Sequence, residues 1–555
     1  MIRTGKLRWL LGMAIVPALA GGAMSYASPH APRAVAPVMR TAAIQTSEGP
    51  VVGVREGNVE TYLGIPYAAA PVGNLRWRPP IVPARWISPR NADHFADWCL
   101  QVAPEGFSKP ITNEDCLYLN VFTPKGASSQ KRKRAVMVWI HGGGLRQGRS
   151  NDYDPTPLVE EGDVIFVSFN YRLNIMGFLA HPALNREGHD FGNYGLMDQQ
   201  FALAWVRRNI AAFGGDPENI TLIGESSGGA NVFNHIASPR SAGLFHKAIV
   251  QSGSLWYGSF APFYDGLPLT QAQDVGKNVA AMTGCSDVND ASCLRSLSAA
   301  QLADVVGKLP SYSFGVVVDG TIVNQSVTRK ILSGDFNRVP VINGSNNDEW
   351  TWVEGLWERA KGRPLTAAEL ESHLGGTLGD FASKAVPHYP PAMFGGSAGA
   401  ASARAVTDGL FMCPMLALNE ALAEHTKVWG FEFNDRQAPF PFPAASFPYG
   451  AAHTLEMQYI FKNYTGAVGE RKSLSPDQKR LSNAMVGYWT NFAKSGNPNG
   501  PGLAKWPMMT VEKARYLSLE PPKPQQLSSA SIDVDHQCAT LWRDTTGLSS
   551  MKSLP

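Results

Sequence analysis

The chain has 555 residues, of which 44% are hydrophobic and 17% charged, a globular composition that excludes a disordered protein. The formal net charge is +3, and it falls to zero once the basic residues Arg3, Lys6 and Arg8 are set aside. Nothing in that balance selects nucleic acid or an anionic membrane as a partner.

From the N-terminus, Arg3, Lys6 and Arg8 precede an apolar run from Trp9 to Ala20, and small residues follow. This is the pattern of an export signal over residues 1–27, cleaved after Ala20 or Ala27. The rival is a membrane anchor, because residues 9–29 carry no charge. Pro17 and Gly21-Gly22 interrupt that stretch, and its strongly apolar part is about half of the ~20 residues a spanning helix needs. No stable membrane anchor is therefore expected after cleavage. Residues 28–45, rich in Ala and Pro, read as a flexible segment, 46–545 as one domain and 546–555 as a tail. An exported chain is secreted or periplasmic. In that setting the even set Cys99, Cys116, Cys285, Cys293, Cys413 and Cys538 suggests disulfides. No CxxC or HExxH spacing occurs, so neither a metal nor another cofactor is expected.

Next come segments alternating as a parallel sheet with crossover helices requires, which is α/β architecture. Lys131-Arg132-Lys133-Arg134 reads as a solvated strand entry; the strand at 135–140 ends in His141-Gly142-Gly143-Gly144. A second strand covers 163–169. A helix follows over 195–210, with Leu196, Gln199, Leu203, Val206 and Ile210 at three- and four-residue steps, stopped by Gly214-Gly215-Asp216-Pro217. The strand at 219–224 feeds Gly224-Glu225-Ser226-Ser227-Gly228, and a small-residue helix leaves that turn over 228–236. Further strands are expected at 247–251, 339–343 and 427–433, and an amphipathic helix at 475–494.

The GxSxG pattern between an apolar strand and a Gly-Gly helix start is a nucleophile elbow: the tight turn holds the Ser226 side chain exposed above the sheet. A serine hydroxyl needs a base to take its proton, and donors for the oxyanion that forms. The N–H groups of Gly143, Gly144 and Ser227 are candidate donors. His141 precedes the glycines and reads as a packing or hydrogen-bonding residue rather than the base.

The chain resembles the type-B carboxylesterase/lipase family, the group that includes the cholinesterases. Matching segments are Gly64-Ile-Pro-Tyr-Ala68, Pro71-Val-Gly-Asn-Leu-Arg-Trp-Arg-Pro79, Asn113-Glu-Asp-Cys-Leu-Tyr-Leu-Asn120, Asn170-Tyr-Arg172, Phe213-Gly-Gly-Asp-Pro217, the Ser226 elbow and Gln251-Ser-Gly253. The resemblance implies the α/β-hydrolase fold, a serine esterase acting on small-molecule esters, and a triad of Ser226, Glu349 and His453. Glu349 closes Gly344-Ser-Asn-Asn-Asp-Glu349, where Trp350 follows in place of the family's usual glycine, so Asp348 is a lesser candidate. His453 closes Gly450-Ala-Ala-His453. His181, His189 and His373 lack such context and are expected at the surface. The resemblance also implies bridges Cys99–Cys116, Cys285–Cys293 and Cys413–Cys538 and a structural Arg76–Glu114 ion pair. Cholinesterases carry a tryptophan in the first disulfide loop to receive a quaternary ammonium. Residues 100–115 contain none, which disfavours a choline ester. A non-catalytic scaffold of the same fold, or an amide or carbamate hydrolase using the same triad, is the alternative.

Overall fold

The computed structural model describes residues 39–102, 110–255, 263–310, 312–440, 442–464, 473–510 and 514–542. The expected signal and the tail from 546 lie outside them. Twelve strands form one sheet. In chain order they are β1 (Met39–Arg40), β2 (Val54–Glu56), β3 (Val59–Pro66), β4 (Tyr118–Pro124), β5 (Arg134–Ile140), β6 (Ile165–Phe169), β7 (Gly215–Glu225), β8 (Lys247–Gln251), β9 (Val341–Asn346), β10 (Val428–Phe433), β11 (Arg515–Leu519) and β12 (Gln525–Ser528). Their spatial order follows the sequence except that β6 lies between β4 and β5. From β6 through β5, β7, β8, β9 and β10 to β11 all pairings are parallel; the edges are antiparallel.

The central strands are buried throughout because both faces are covered. Alternate side chains separate into two apolar clusters. Val136, Val138, Ile140, Leu222, Val250 and Val341 face one, together with helices α1 (Tyr194–Asn209) and α2 (Ser227–Ala237). Met137, Trp139, Ile223, Ile249, Ile342 and Phe431 face the other. There the helix Pro476–Ser495 contributes Leu481, Met485, Tyr488, Trp489 and Phe492, the residues expected on its apolar side. Ser475 caps that helix in a reciprocal box with Gln478, and Gly496, at φ 73°, ends it in the left-handed conformation.

Several expected boundaries shift for local reasons. The second central strand begins at Ile165 rather than 163, since Asp163 turns at φ 46° and pairs with Arg134 at 2.6 Å. That pairing buries Arg134, so only Lys131 to Lys133 of the basic run are solvated. The 339–343 strand runs instead from Val341 to Asn346, because Pro340 has no N–H for the ladder. Residues 39–45, expected to belong to a flexible segment, are ordered by pairing, and the rest of that expected segment lies outside the described residues. Met39–Arg40 pairs with β2, and Ile44–Gln45 joins a small separate sheet. Arg76 pairs with Glu114 at 2.5 Å, as expected.

The cysteines are joined as Cys99–Cys116, Cys285–Cys293 and Cys413–Cys538, with Cα separations of 5.0, 5.4 and 5.3 Å. The last closes the longest loop, spanning 125 residues. Replacing Cys413 and Cys538 together by Ser should lower unfolding free energy by on the order of 2–4 kcal/mol, chiefly through the unfolded chain. Thermal unfolding of the double variant beside the parent measures it; an unchanged midpoint would mean the tie does not constrain the unfolded state.

Candidate active site

The turn from β7 into α2 passes extremely close to its neighbours. A Cβ on Gly224 would stand 2.5 Å from the Gly228 carbonyl carbon, and one on Gly228 2.1 Å from the Ile140 oxygen. Only glycine fits either position. The residue between, Ser226, takes φ 56° and ψ −127°, a conformation L-residues rarely adopt, and its N–H donates to Gln251 O at 2.9 Å. The strain lifts its side chain off the sheet.

The Ser226 hydroxyl lies 2.9 Å from His453 Nε2, and His453 Nδ1 is 2.5 Å from Glu349 Oε2. Glu349 is fully buried, and its other oxygen accepts the Asn346 N–H at 2.8 Å. His453 N–H donates to the Glu349 carbonyl at 3.2 Å, so the two turns are also joined through the backbone. Asp348 points elsewhere: it accepts the Ala451 N–H at 2.9 Å and pairs with Arg436 at 3.1 Å. The structure thus brings Ser226, His453 and Glu349 together and leaves Asp348 supporting the turn. Trp350 fits in place of glycine because its ring packs inward, 6.1 Å from Phe411, while its N–H donates to Thr407 Oγ1 at 3.0 Å.

The glycine turn after β5 stands beside the elbow. Gly143 and Gly144 have φ of 104° and 69°. The N–H groups of Gly143 and Ser227 have no protein acceptor among the described residues. The Gly144 N–H, expected to face the substrate, instead donates to Ser227 Oγ at 2.9 Å. His141 is buried, stacks on Tyr171 at 4.4 Å and holds Gly142 O at 2.9 Å; burial pushes it down to about 4, so it is a neutral packing residue as expected.

Two carboxylates near His453 were missed by sequence reasoning. Glu225 lies 3.3 Å from His453 Nε2, and burial pushes it up to about 8. Glu456 is bound by Gln251 at 3.1 Å and Asn346 at 2.7 Å, and burial pushes it up to about 7. The available signal was position: Glu225 precedes the elbow serine, and Glu456 lies one helical turn past His453. Trp352 stacks parallel to the His453 ring at 6.4 Å, and Phe411 meets it edge-on at 5.6 Å. Burial alone would depress His453, but the Glu349 and Glu225 carboxylates outweigh it and push the imidazole up to about 9.

The other histidines are less exposed than expected. His181 is buried and caps a short helix by accepting the Ala183 N–H, while His189 and His373 are partly buried against Glu187 and Glu354. His536 is fully buried between Asp408, 2.6 Å away, and Glu432, 2.8 Å away. Those carboxylates overcome burial and push it up to about 9. Glu432, Asp535 and His536 cluster tightly enough for a metal, yet both ring nitrogens already face carboxylates, as an imidazolium requires. Glu432 also accepts from Asn347 at 2.8 Å, which links this buried charge to the Glu349 turn.

A family model described as the carboxylesterase family matches residues 40–536. The chain is 32% identical over 492 residues to a cocaine esterase of Oryctolagus cuniculus, covering 84% of this chain and 88% of that one. It is 34% identical over 482 residues to a fumonisin B1 esterase of Sphingopyxis macrogoltabida, covering 83% of each. The solved structure of a thermophilic PNB esterase superposes with a TM-score of 0.74 at 29% identity, over 89% of this chain and 99% of that one. The chain belongs to the carboxylesterase family and has the α/β-hydrolase fold.

The charge balance around His453 makes a measurable prediction. Its folded pKa is raised, so its stabilising contribution is complete below the unfolded value near 6.5 and is lost as pH rises through about 9. Glu225→Gln removes one carboxylate and should move the His453 titration, followed by NMR of labelled imidazole, to lower pH. An unmoved titration would show that Glu225 is neutral throughout.

Proposed function

We propose that this member of the carboxylesterase family, a carboxylic-ester hydrolase, works through an acyl-enzyme on Ser226, with His453 as base and Glu349 as its orienting acid. The observation that carries the reading is the unbroken run of hydrogen bonds from Ser226 through His453 to a buried Glu349. Ser226 Oγ attacks the ester carbonyl carbon as its proton passes to His453 Nε2. The carbonyl oxygen becomes an oxyanion beside the Gly143 and Ser227 N–H groups, with Gly144 supporting the turn. Collapse breaks the bond to the alcohol oxygen, which leaves with the proton from His453. A water then gives a proton to His453, attacks the acyl carbon and releases the acid, and Ser226 recovers its proton. Glu349 holds the tautomer with the proton on Nδ1 and stabilises the imidazolium at each step.

The substrate is a small-molecule ester, and the absence of tryptophan from 100–115 argues against a choline ester. Export is part of the proposal: the N-terminal pattern and the three disulfides both suit an oxidising compartment outside the cytoplasm. No helix among the described residues is long and apolar enough to cross a membrane.

Ser226→Ala should leave the fold intact and reduce nitrophenyl ester turnover by several orders of magnitude, because a triad acts as a unit. A phosphonate ester should label the parent once, on Ser226; an active Ala variant, or label on another residue, overturns the assignment.

The acid is tested separately. Glu349→Gln keeps the size and removes the charge, and should reduce turnover about 10³–10⁴-fold, as when a triad carboxylate becomes an amide. Asp348→Asn should have a much smaller effect, since its carboxylate binds Ala451 and Arg436. The acid limb of the rate profile should lie above the ordinary imidazole pKa, because His453 cannot accept a proton while charged. If Asp348→Asn is the crippled variant in parallel assays on one ester, the acid is misassigned.

A further inference from the structure

The elbow has a second serine whose backbone alone enters the mechanism above. Ser227 is buried, and its hydroxyl oxygen accepts two N–H groups from the glycine turn, Gly144 at 2.9 Å and Leu145 at 3.3 Å. That end of the turn is under strain. Leu145 has φ 57°, in the left-handed region that bulky residues avoid, and its carbonyl is held by the Asn174 N–H at 2.7 Å. The other end is held by Tyr171, which donates its hydroxyl to His141 O at 2.9 Å and stacks its ring on the His141 imidazole, and whose hydroxyl also meets the Ser227 side chain. The Ser227 hydroxyl is therefore a side-chain tie between the two backbones that would carry the oxyanion donors, Gly143 on the turn and Ser227 itself on the helix.

We propose that the Ser227 hydroxyl is a positioning group that fixes the glycine turn against the elbow, so that the N–H groups of Gly143 and Ser227 converge on the oxyanion while Gly144 N–H serves as the strut. The proposal rests on the reading of Ser226 as nucleophile and deepens it. An oxyanion donor acts only when held in advance where negative charge develops. The Arg146 and Gln147 N–H groups close the turn onto Gly143 O, each at 3.1 Å, and the two hydrogen bonds onto the one buried Ser227 oxygen tie that closed turn to the elbow.

The test is Ser227→Ala, which deletes the hydroxyl and keeps the N–H, together with Ser227→Cys, which keeps the approximate volume but offers a poor acceptor. Both should lower kcat about ten- to hundredfold, short of the 10²–10³ lost when an oxyanion donor is removed outright. KM for a neutral nitrophenyl ester should stay within about twofold, as expected when an interaction realised in the transition state is weakened. Inhibition by a trifluoromethyl ketone, which forms an oxyanion on the nucleophile, should weaken by the same factor as kcat. Inhibition by the corresponding methyl ketone should not change.

Unchanged or increased kcat in the Ala variant overturns the proposal, the increase meaning that the hydroxyl withholds Gly144 from the oxyanion. A Cys variant that behaves like the parent while the Ala variant is impaired also overturns it, since volume would then be what matters. If the Ala variant does not fold, the Cys variant decides alone through its kcat and the two ketones. Phosphonate labelling of Ser226 in the parent keeps the outcomes apart: labelled Ser226 with an unaffected Ser227→Ala enzyme refutes the strut only.

Discussion

The close approach of three backbones at the C-terminal ends of β5, β7 and β8 is the constraint on which the site depends. Gly224, Gly228 and Gly229 have no room for a Cβ, because the Ile140, Gly228 and Gln251 backbones occupy the space. That contact puts the start of α2 against the sheet and forces Ser226 into a strained conformation of the kind that costs on the order of 1–3 kcal/mol. The surrounding sheet over-determines it. β5, β7 and β8 are parallel, in continuous register from Ile220 up to the turn and covered on both faces, so the turn has no freedom to relax.

Once the elbow is fixed, the second problem is electrostatic. Three glutamates, 225, 349 and 456, are buried around one imidazole. Three full charges in so small a volume would be prohibitively unfavourable, and the environments differ accordingly. Glu349 accepts a backbone N–H and touches His453 directly, whereas burial pushes Glu225 and Glu456 up towards and above neutrality. The cluster thus titrates as a group with its protons shared. An imidazolium formed at His453 under the proposed mechanism would meet negative charge already in place.

The elements that carry this site were legible where periodicity and turn chemistry agree. Strand β5, the helix after β6, the elbow and the last amphipathic helix lie within a few residues of their expected places, because buried parallel strands and capped helices leave strong local patterns. The antiparallel strands β1 to β4 were not read from periodicity, although two of the family segments fall on β3 and β4. β1 and β2 are too short to alternate, β3 buries irregularly and β4 is buried along its whole middle, so none leaves a clean alternation. The candidate acid was placed only by resemblance, since a carboxylate at the end of a strand has no spacing signature of its own. His536 was invisible for a related reason: it is defined by partners more than 100 positions away. His181 was misjudged because a histidine capping a helix by its own ring nitrogen looks, in sequence, like any loop histidine.

The candidate triad joins two kinds of support. Ser226 is held by backbone geometry alone, through glycines and the ladder. His453 and Glu349 sit on turns beyond the strand ends, where no ladder reaches, and backbone bonds between the two turns together with side-chain networks hold them instead. Asn346 bridges Glu349 to Glu456 and to the Ala452 carbonyl; Asn347 ties the same turn to Glu432, and through it to His536 and Asp408. Asp408 and Cys413 flank the same stretch of helix, and Cys413 is bonded to Cys538, two residues past His536. The C-terminal disulfide and the His536 charge network therefore clamp the same element from two sides. That element also presents Phe411 to the edge of the His453 ring. Precision at the candidate base and acid is thus distributed through polar contacts between Asn346 and Cys538, whereas precision at the candidate nucleophile is local.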